Sequence, residues 1–542
     1  MKILQSGALG ALVVVSGVAF AADWNEWRGP QRNGIVEKSP PLTTTFPEDG
    51  PKRLWRSEDQ IPGGYNAPEG GLGSVVVAGN RAYVMVSQSR TEKLATRTLA
   101  PQKLTELGWT PKKPPAEMLK TAEEARVSPE REALKTPAEL EAWAVKWLET
   151  NLSADQRKEF GPFLANRMKR GKAALSMELL DQLAAIKDQP FDSQAALDAW
   201  LTQNNLEGET RKTVQSKFAD SQSFRDTGVY CLDAATGKTV WKKLFPGGPM
   251  QSSYAASSTP CVASGKVYAL GVDGVAFCLD AKTGDTVWSA AAASVRDQKH
   301  CSFLVVDDVA IVPFGPLTGF DADKGTVLWK HDKFKDSWSS PVIWRKDGKT
   351  VVVVRAGGKL VGLDPKPGTI LWSIDDWSPE AIYSGSTPAI DGDRMAVCGK
   401  SDVRLFRLAA DKAEMLWKVD CPMDYCSSPT IYLGHVYVFG RAGATCLALE
   451  DGKVAWQDKE IKTGSYHSPI LADGKFFVQG QDKKASGFGD GTLTIVAASP
   501  DKPHVLAEEK KIRQSLCATP AIVDGRIYCR LLNSIVCYDL RP

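Results

Sequence analysis

The sequence predicts an all-β fold: an eight-bladed β-propeller closed by an N-terminal strand, with an α-helical insert in blade one. Three observations predict it. Closely similar runs recur along the chain: CLDAATGKTVW (Cys231 to Trp241), CLDAKTGDTVW (Cys278 to Trp288), GFDADKGTVLW (Gly319 to Trp329) and GLDPKPGTILW (Gly362 to Trp372). Successive tryptophans stand about 40 to 47 residues apart, the period of a four-stranded blade rather than of a helical hairpin. Residues 91–223 differ in composition, holding only four of the 46 glycines and abundant Ala, Leu, Glu and Lys.

The first 21 residues read as a secretory signal, with Lys2, an apolar run from Ala8 to Val18, and Ala19-Phe20-Ala21 as a small-x-small cleavage site. That run is too short to span a bilayer, and no later stretch reaches the roughly 18 apolar residues a span requires. No Cys stands beside the cleavage site, so no lipid anchor is expected, and the mature chain is expected to be periplasmic or secreted. The net charge of +3, from 67 basic and 64 acidic residues, gives no field for nucleic acid or a membrane surface. A monomer is expected.

Residues 22–90 hold a leader, a ring-closing strand around Trp55 and the first half of blade one. Residues 91–223 form the insert. Thr136-Pro137-Ala138-Glu139 is a capping box with Pro at the first helical position, and Leu140, Trp143, Ala144, Trp147 and Leu148 form one apolar face. Ser153 starts a second helix, and Trp147-Leu148…Arg157-Lys158 is echoed by Trp200-Leu201…Arg211-Lys212. Residues 224–542 complete the propeller. Each blade opens near a Ser/Thr, usually followed by Pro, which suits the first residue of a strand. Weaker repeat copies end at Trp417 and Trp456. A further copy from Ala497 puts Ala507 in the tryptophan position, and an eighth begins at Cys537 and reaches the last residue before its tryptophan.

All eleven cysteines lie in the mature part. Cys231, Cys278, Cys446 and Cys537 share one repeat position, which places them in separate blades, beyond disulfide reach, as small buried apolar residues. Cys421 and Cys426 are the one close pair.

With its TGK-type turns and their tryptophans, the chain resembles the PQQ-like repeat family of eight-bladed propellers over about residues 45–90 and 224–542, its DxxTGxxxW runs being the most specific element. The opening Trp24-Asn25-Glu26-Trp27-Arg28-Gly29-Pro30 resembles the leader of exported members. The resemblance implies that Trp55, Trp241, Trp288, Trp329, Trp372, Trp417 and Trp456 dock blade onto blade. It implies two functional branches: quinoprotein dehydrogenases that hold pyrroloquinoline quinone (PQQ) with calcium, and non-enzymatic BamB-like scaffolds. The dehydrogenases carry an adjacent Cys-Cys pair and a Glu-Asn-Asp calcium set. No two cysteines are adjacent here, the calcium set maps onto no position, and no CxxCH haem site exists.

In the family topology the residues ahead of each innermost strand line the channel mouth. Here they are Tyr65, Tyr254, His300, Trp338, Tyr383, Tyr425, Tyr466 and His467, a platform for stacking rings or gripping a peptide. Arg355, Lys400, Arg441 and Arg530 end second strands on the same side, where exposed cations attract an anion. The insert joins equivalent strands and is expected on that face, as a lid or a docking arm. The five histidines show no metal-binding spacing, and no nucleophile motif is present, so no catalytic or metal residue is assigned. The expectation is a binding or scaffold module of the cell envelope, engaging a protein or glycan without a resident cofactor. The alternative is a PQQ-dependent oxidoreductase of alcohols or sugars.

Overall fold

The computed structural model describes residues 23–63, 70–248, 258–271, 273–291, 301–313, 315–335, 337–378, 385–421, 427–463, 467–481, 491–509, 512 and 518–542. The expected export signal and Cys426 lie outside these residues. The chain divides into two compact units, one running to Arg90 and resuming at Phe224–Pro542, the other spanning Thr91–Ser223.

The first unit is a propeller of repeated sheets. Its described residues form eight of them, seven with four strands and one with five. The second is typical: Cys261–Ala263, Lys266–Leu270, Val275–Asp280 and Thr286–Ala291 run as an antiparallel meander. The hairpin between its first two strands needs two successive left-handed residues, Ser264 and Gly265. Asp347-Gly348, Leu433-Gly434, Asp473-Gly474 and Asp524-Gly525 repeat that geometry, the type I′ turn whose twist matches paired strands.

The packing explains the repeat motif residue by residue. The Asp280 carboxylate accepts the N–H groups of Lys282 and Thr283, both at 2.8 Å, and so fixes the last turn. Gly284 then takes φ +78, and a Cβ there would lie 2.7 Å from the Trp241 ring of the preceding sheet. Trp288 reaches the next sheet and donates its indole N–H to the Ala322 carbonyl at 2.9 Å. The same crossing links Trp55 to Ala234, Trp241 to Ala281, Trp329 to Pro365, Trp417 to Leu449 and Trp456 to Ser499. Trp372 is buried without a hydrogen-bond partner for its indole N–H among the described residues.

The strand residue opposite six of the seven tryptophans is small (Cys231, Cys278, Gly319, Gly362, Cys446 and Cys537), while Trp417 faces Leu405. All nine described cysteines are buried free thiols. In the seventh sheet Ala507 pairs with Ile495, not with Ala497 ten residues back, because the intervening turn is two residues longer. The larger isoleucine faces the smaller alanine there. Arg53–Arg56 pairs with Ile535–Asp539 and sets Trp55 opposite Cys537, so an N-terminal strand completes the last sheet.

A circuit of hydrogen bonds joins the starts of the innermost strands. The N–H of Ser74 donates to Thr259 Oγ1 at 2.9 Å, Thr259 to Ser302, Ser302 to Ser340 and Ser340 to Thr387. Thr387 continues to Ser428, Ser428 to Ser468 and Ser468 to Thr519, and Thr519 returns to Ser74 at 3.0 Å. All eight residues are buried.

The second unit is helical, with eight α-helices between Pro101 and Gln215 among the described residues. The expected capping box forms between Thr136 and Glu139, and Ser153 makes a second with Gln156. Leu148, Phe160 and Leu164 share one apolar cluster, and Leu197, Leu201 and Val214 belong to another. The echoed sequences fall on two helix pairs, Pro137–Asn151 with Ala154–Arg170 and Gln194–Gln203 with Gly208–Gln215.

Trp288→Ala removes a buried ring and a crossing hydrogen bond, and should cost about 3–5 kcal/mol in urea unfolding. Thr259→Val strips the acceptor from the buried Ser74 N–H and should cost about 1–3 kcal/mol, while Thr259→Ser stays near wild type. A Trp288→Ala protein as stable as wild type would contradict the docking role.

Candidate functional site

In each meander the second and fourth strands end on the side where the first begins. That side carries the expected mouth. Tyr65, Tyr254, His300, Tyr383, Tyr425 and Tyr466 lie outside the described residues. Trp338 is half-buried and His467 buried, directly ahead of the circuit residues Ser340 and Ser468. Lys400 and Arg441 are exposed at the ends of their second strands.

Arg355 and Arg530 depart from the expectation of exposed cations. Both are buried, because each reaches across a seam to the next sheet. Arg355 grips Asp376 through Nε at 2.5 Å and Nη2 at 2.9 Å, and donates Nη1 to the Cys398 carbonyl at 2.8 Å. Arg530 donates to the carbonyls of Gly73 at 2.8 Å and Pro62 at 2.7 Å, joining the last sheet to the first. Burial pushes the Arg530 pKa down to about 9. These two are inter-sheet ties, not an anion-binding rim.

Beside Arg355 stands a cluster that repeat-based reading missed. The Trp377 indole N–H donates to Asp402 at 2.6 Å, and the Arg404 guanidinium lies 4.1 Å over its ring. Lys418 approaches Asp402 at 3.6 Å. The signal was the Asp375-Asp376-Trp377 run just past the outer strand, which has no counterpart in the other repeats. With Lys400 and Arg441, this cluster makes the described part of the face charged and aromatic.

The axis of the propeller is filled by the chain's own leader. Trp24 exchanges backbone hydrogen bonds with Val77 at 2.8 and 2.9 Å, and Asn25 pairs with Val262 through main chain and side chain. Arg32 donates to the carbonyls of Phe303 and Pro341, and Trp27 to Thr387 Oγ1 at 3.1 Å. Arg28 donates to the Pro429 carbonyl at 2.6 Å, and Ile35–Val36 adds a parallel strand to Ile470–Ala472. Seven innermost strands are touched in 13 residues, Trp24 to Val36. Arg32 is matched by Glu26 at 2.6 Å; desolvation still raises the Glu26 pKa above the usual carboxylate range.

The family model described as outer membrane protein assembly factor BamB matches residues 223–344, 313–377 and 376–542, more than half of the chain. The chain belongs to this PQQ-like repeat family. A search of curated protein sequences finds no match. Among solved structures, BamB from Moraxella catarrhalis is 14% identical, with 56% of this chain and 86% of that one covered and a TM-score of 0.43. The quinohemoprotein alcohol dehydrogenase ADHIIG from Pseudomonas putida HK5 is also 14% identical, covering 58% and 72%, with a TM-score of 0.44. Likeness at this level bears on neither mechanism nor partner.

The described residues do not fit a calcium-held quinone. Asp376 and Asp402, two buried carboxylates of this face, are taken by Arg355 and by Trp377, Arg404 and Lys418. Trp27 bonds the circuit residue Thr387, and Arg28 bonds Pro429 and Thr430 just beyond the circuit. Among the described residues no three His, Cys, Asp or Glu side chains are grouped to hold a metal ion.

Arg355→Met leaves Asp376 buried without its counter-charge and should cost about 3–5 kcal/mol in urea unfolding. Removing both charges, as Arg355→Met with Asp376→Leu, should restore most of that loss. Arg441→Ala should leave the unfolding midpoint unchanged.

Proposed function

We propose that this protein is an exported binding module of the cell envelope, an eight-bladed propeller working through its strand-start face. The observation that carries the reading is the occupied axis. With Glu26, Trp27, Arg28 and Arg32 seated among the innermost strands, the described part of the interior is taken by the chain itself, and recognition falls to the rim. The rim combines Trp377 with Arg404, Lys400, Trp338 and Arg441, side chains suited to an acidic or hydroxyl-rich partner, either an envelope protein or a glycan. The family description, outer membrane protein assembly, supports an envelope role acting through protein contacts. Residues 91–223 serve as a docking arm, residues 1–21 as the export signal, and the mature chain acts as a monomer in the periplasm or outside the cell.

The deciding experiment is a titration of residues 22–542 with PQQ, with and without calcium, followed by tryptophan fluorescence. No saturable quenching is expected. Calcium-dependent quenching at micromolar PQQ overturns the reading in favour of an oxidoreductase. In parallel, Arg441→Ala or Tyr383→Ala should abolish co-purification of an envelope partner while leaving the melting temperature unchanged.

A further inference from the structure

The leader is held in the manner of a bound peptide. Its main chain adds a parallel strand to Ile470–Ala472 and exchanges backbone bonds with Val77, as in peptide recognition by strand addition. Its side chains anchor it: Trp24 is 2% exposed, Trp27 donates to Thr387, and Arg32 forks between Glu26 and two carbonyls of neighbouring sheets. Gly29 and Gly34 are required by fit, since a Cβ would lie 2.7 Å from the Trp24 ring at one and 2.9 Å from the Arg28 guanidinium at the other.

The segment also carries costs of its own. Arg28 and Arg32 sit at φ +61 and +53, a region non-glycine residues adopt at a penalty. Arg28 is 1% exposed, has no carboxylate partner among the described residues, and leaves Nε and Nη1 without a hydrogen bond. An unpaired buried guanidinium opposes burial by several kcal/mol. Anchors made to the free edges of innermost strands, rather than within any one sheet, describe a ligand that can leave without unfolding its receptor.

We infer that the propeller axis is a peptide-recognition site, occupied in cis by residues 23–36. Its ligand class is a peptide that turns at its arginines and glycines, with the pattern Trp-Asn-Glu-Trp-Arg-Gly-x-x-Arg-x-Gly. The site is separate from the rim and does not depend on the rim's function.

The test uses the full chain carrying Trp24→Ala and Arg32→Ala, with a fluorescent synthetic peptide of residues 23–38 as the probe. The variant should take up the peptide saturably, wild type should exclude it, and a Trp24→Ala peptide should bind about 10-fold or more weakly. A folded variant that ignores the peptide, or binds a scrambled one equally, overturns the inference. Should the variant fail to fold, amide exchange in wild type decides. The N–H groups of Val77, Val262 and Leu471, all bonded to the leader, should exchange about 100-fold or more faster than that of Thr259. Equal rates would make the leader an inseparable part of the core and sink the proposal.

Discussion

Everything in the propeller unit hangs on the circuit of eight buried N–H to hydroxyl bonds at the strand starts. A single such bond contributes only about 1 kcal/mol net. Eight in a closed loop do something a linear set cannot, because each sheet's position is fixed by both neighbours and no terminal sheet is left unpaired. The loop demands a hydroxyl at one position in every sheet, and Ser74, Thr259, Ser302, Ser340, Thr387, Ser428, Ser468 and Thr519 supply it. Proline follows six of the eight, which opens each strand without an unused donor.

Around that circuit, the outer contacts follow from the repeat motif. Aspartate shapes the turn, glycine clears space for the neighbour's tryptophan, and the tryptophan crosses to the next turn's carbonyl. The circuit governs the inner edge and the tryptophans the outer one. The seam between the chain's two ends receives extra ties: the Arg53–Arg56 strand, the Trp55 bond to Ala234 and the Arg530 bonds to Gly73 and Pro62. Most of these extra ties are made by residues near the N-terminus, so the first part of the chain must meet the last before the propeller is complete.

Much of this was legible in the sequence because it is periodic. The tryptophan spacing set the sheets, and the repeat position facing the tryptophans explained four of the cysteines without disulfides. Trp55 could be assigned because its flanking residues repeat a known pattern. What escaped was aperiodic. Trp24 to Gly34 read as a family leader, but nothing in a single peptide says that it will lie along an axis built by distant strands. Arg355 and Arg530 looked like exposed turn residues, since a sequence does not show the neighbouring carbonyls that bury them. Trp377 went unnoticed for the same reason, its partners Asp402 and Arg404 being in the next sheet.

The measurement that bears most directly on the closed circuit is native-state hydrogen exchange at its eight amides. Closure predicts that all eight exchange only through global unfolding, with one common free energy, including Thr519 and Ser74 where the chain's ends meet. Exchange at those two positions orders of magnitude faster than at Ser302 or Thr387 would mean that the seam opens on its own and that the circuit is not closed.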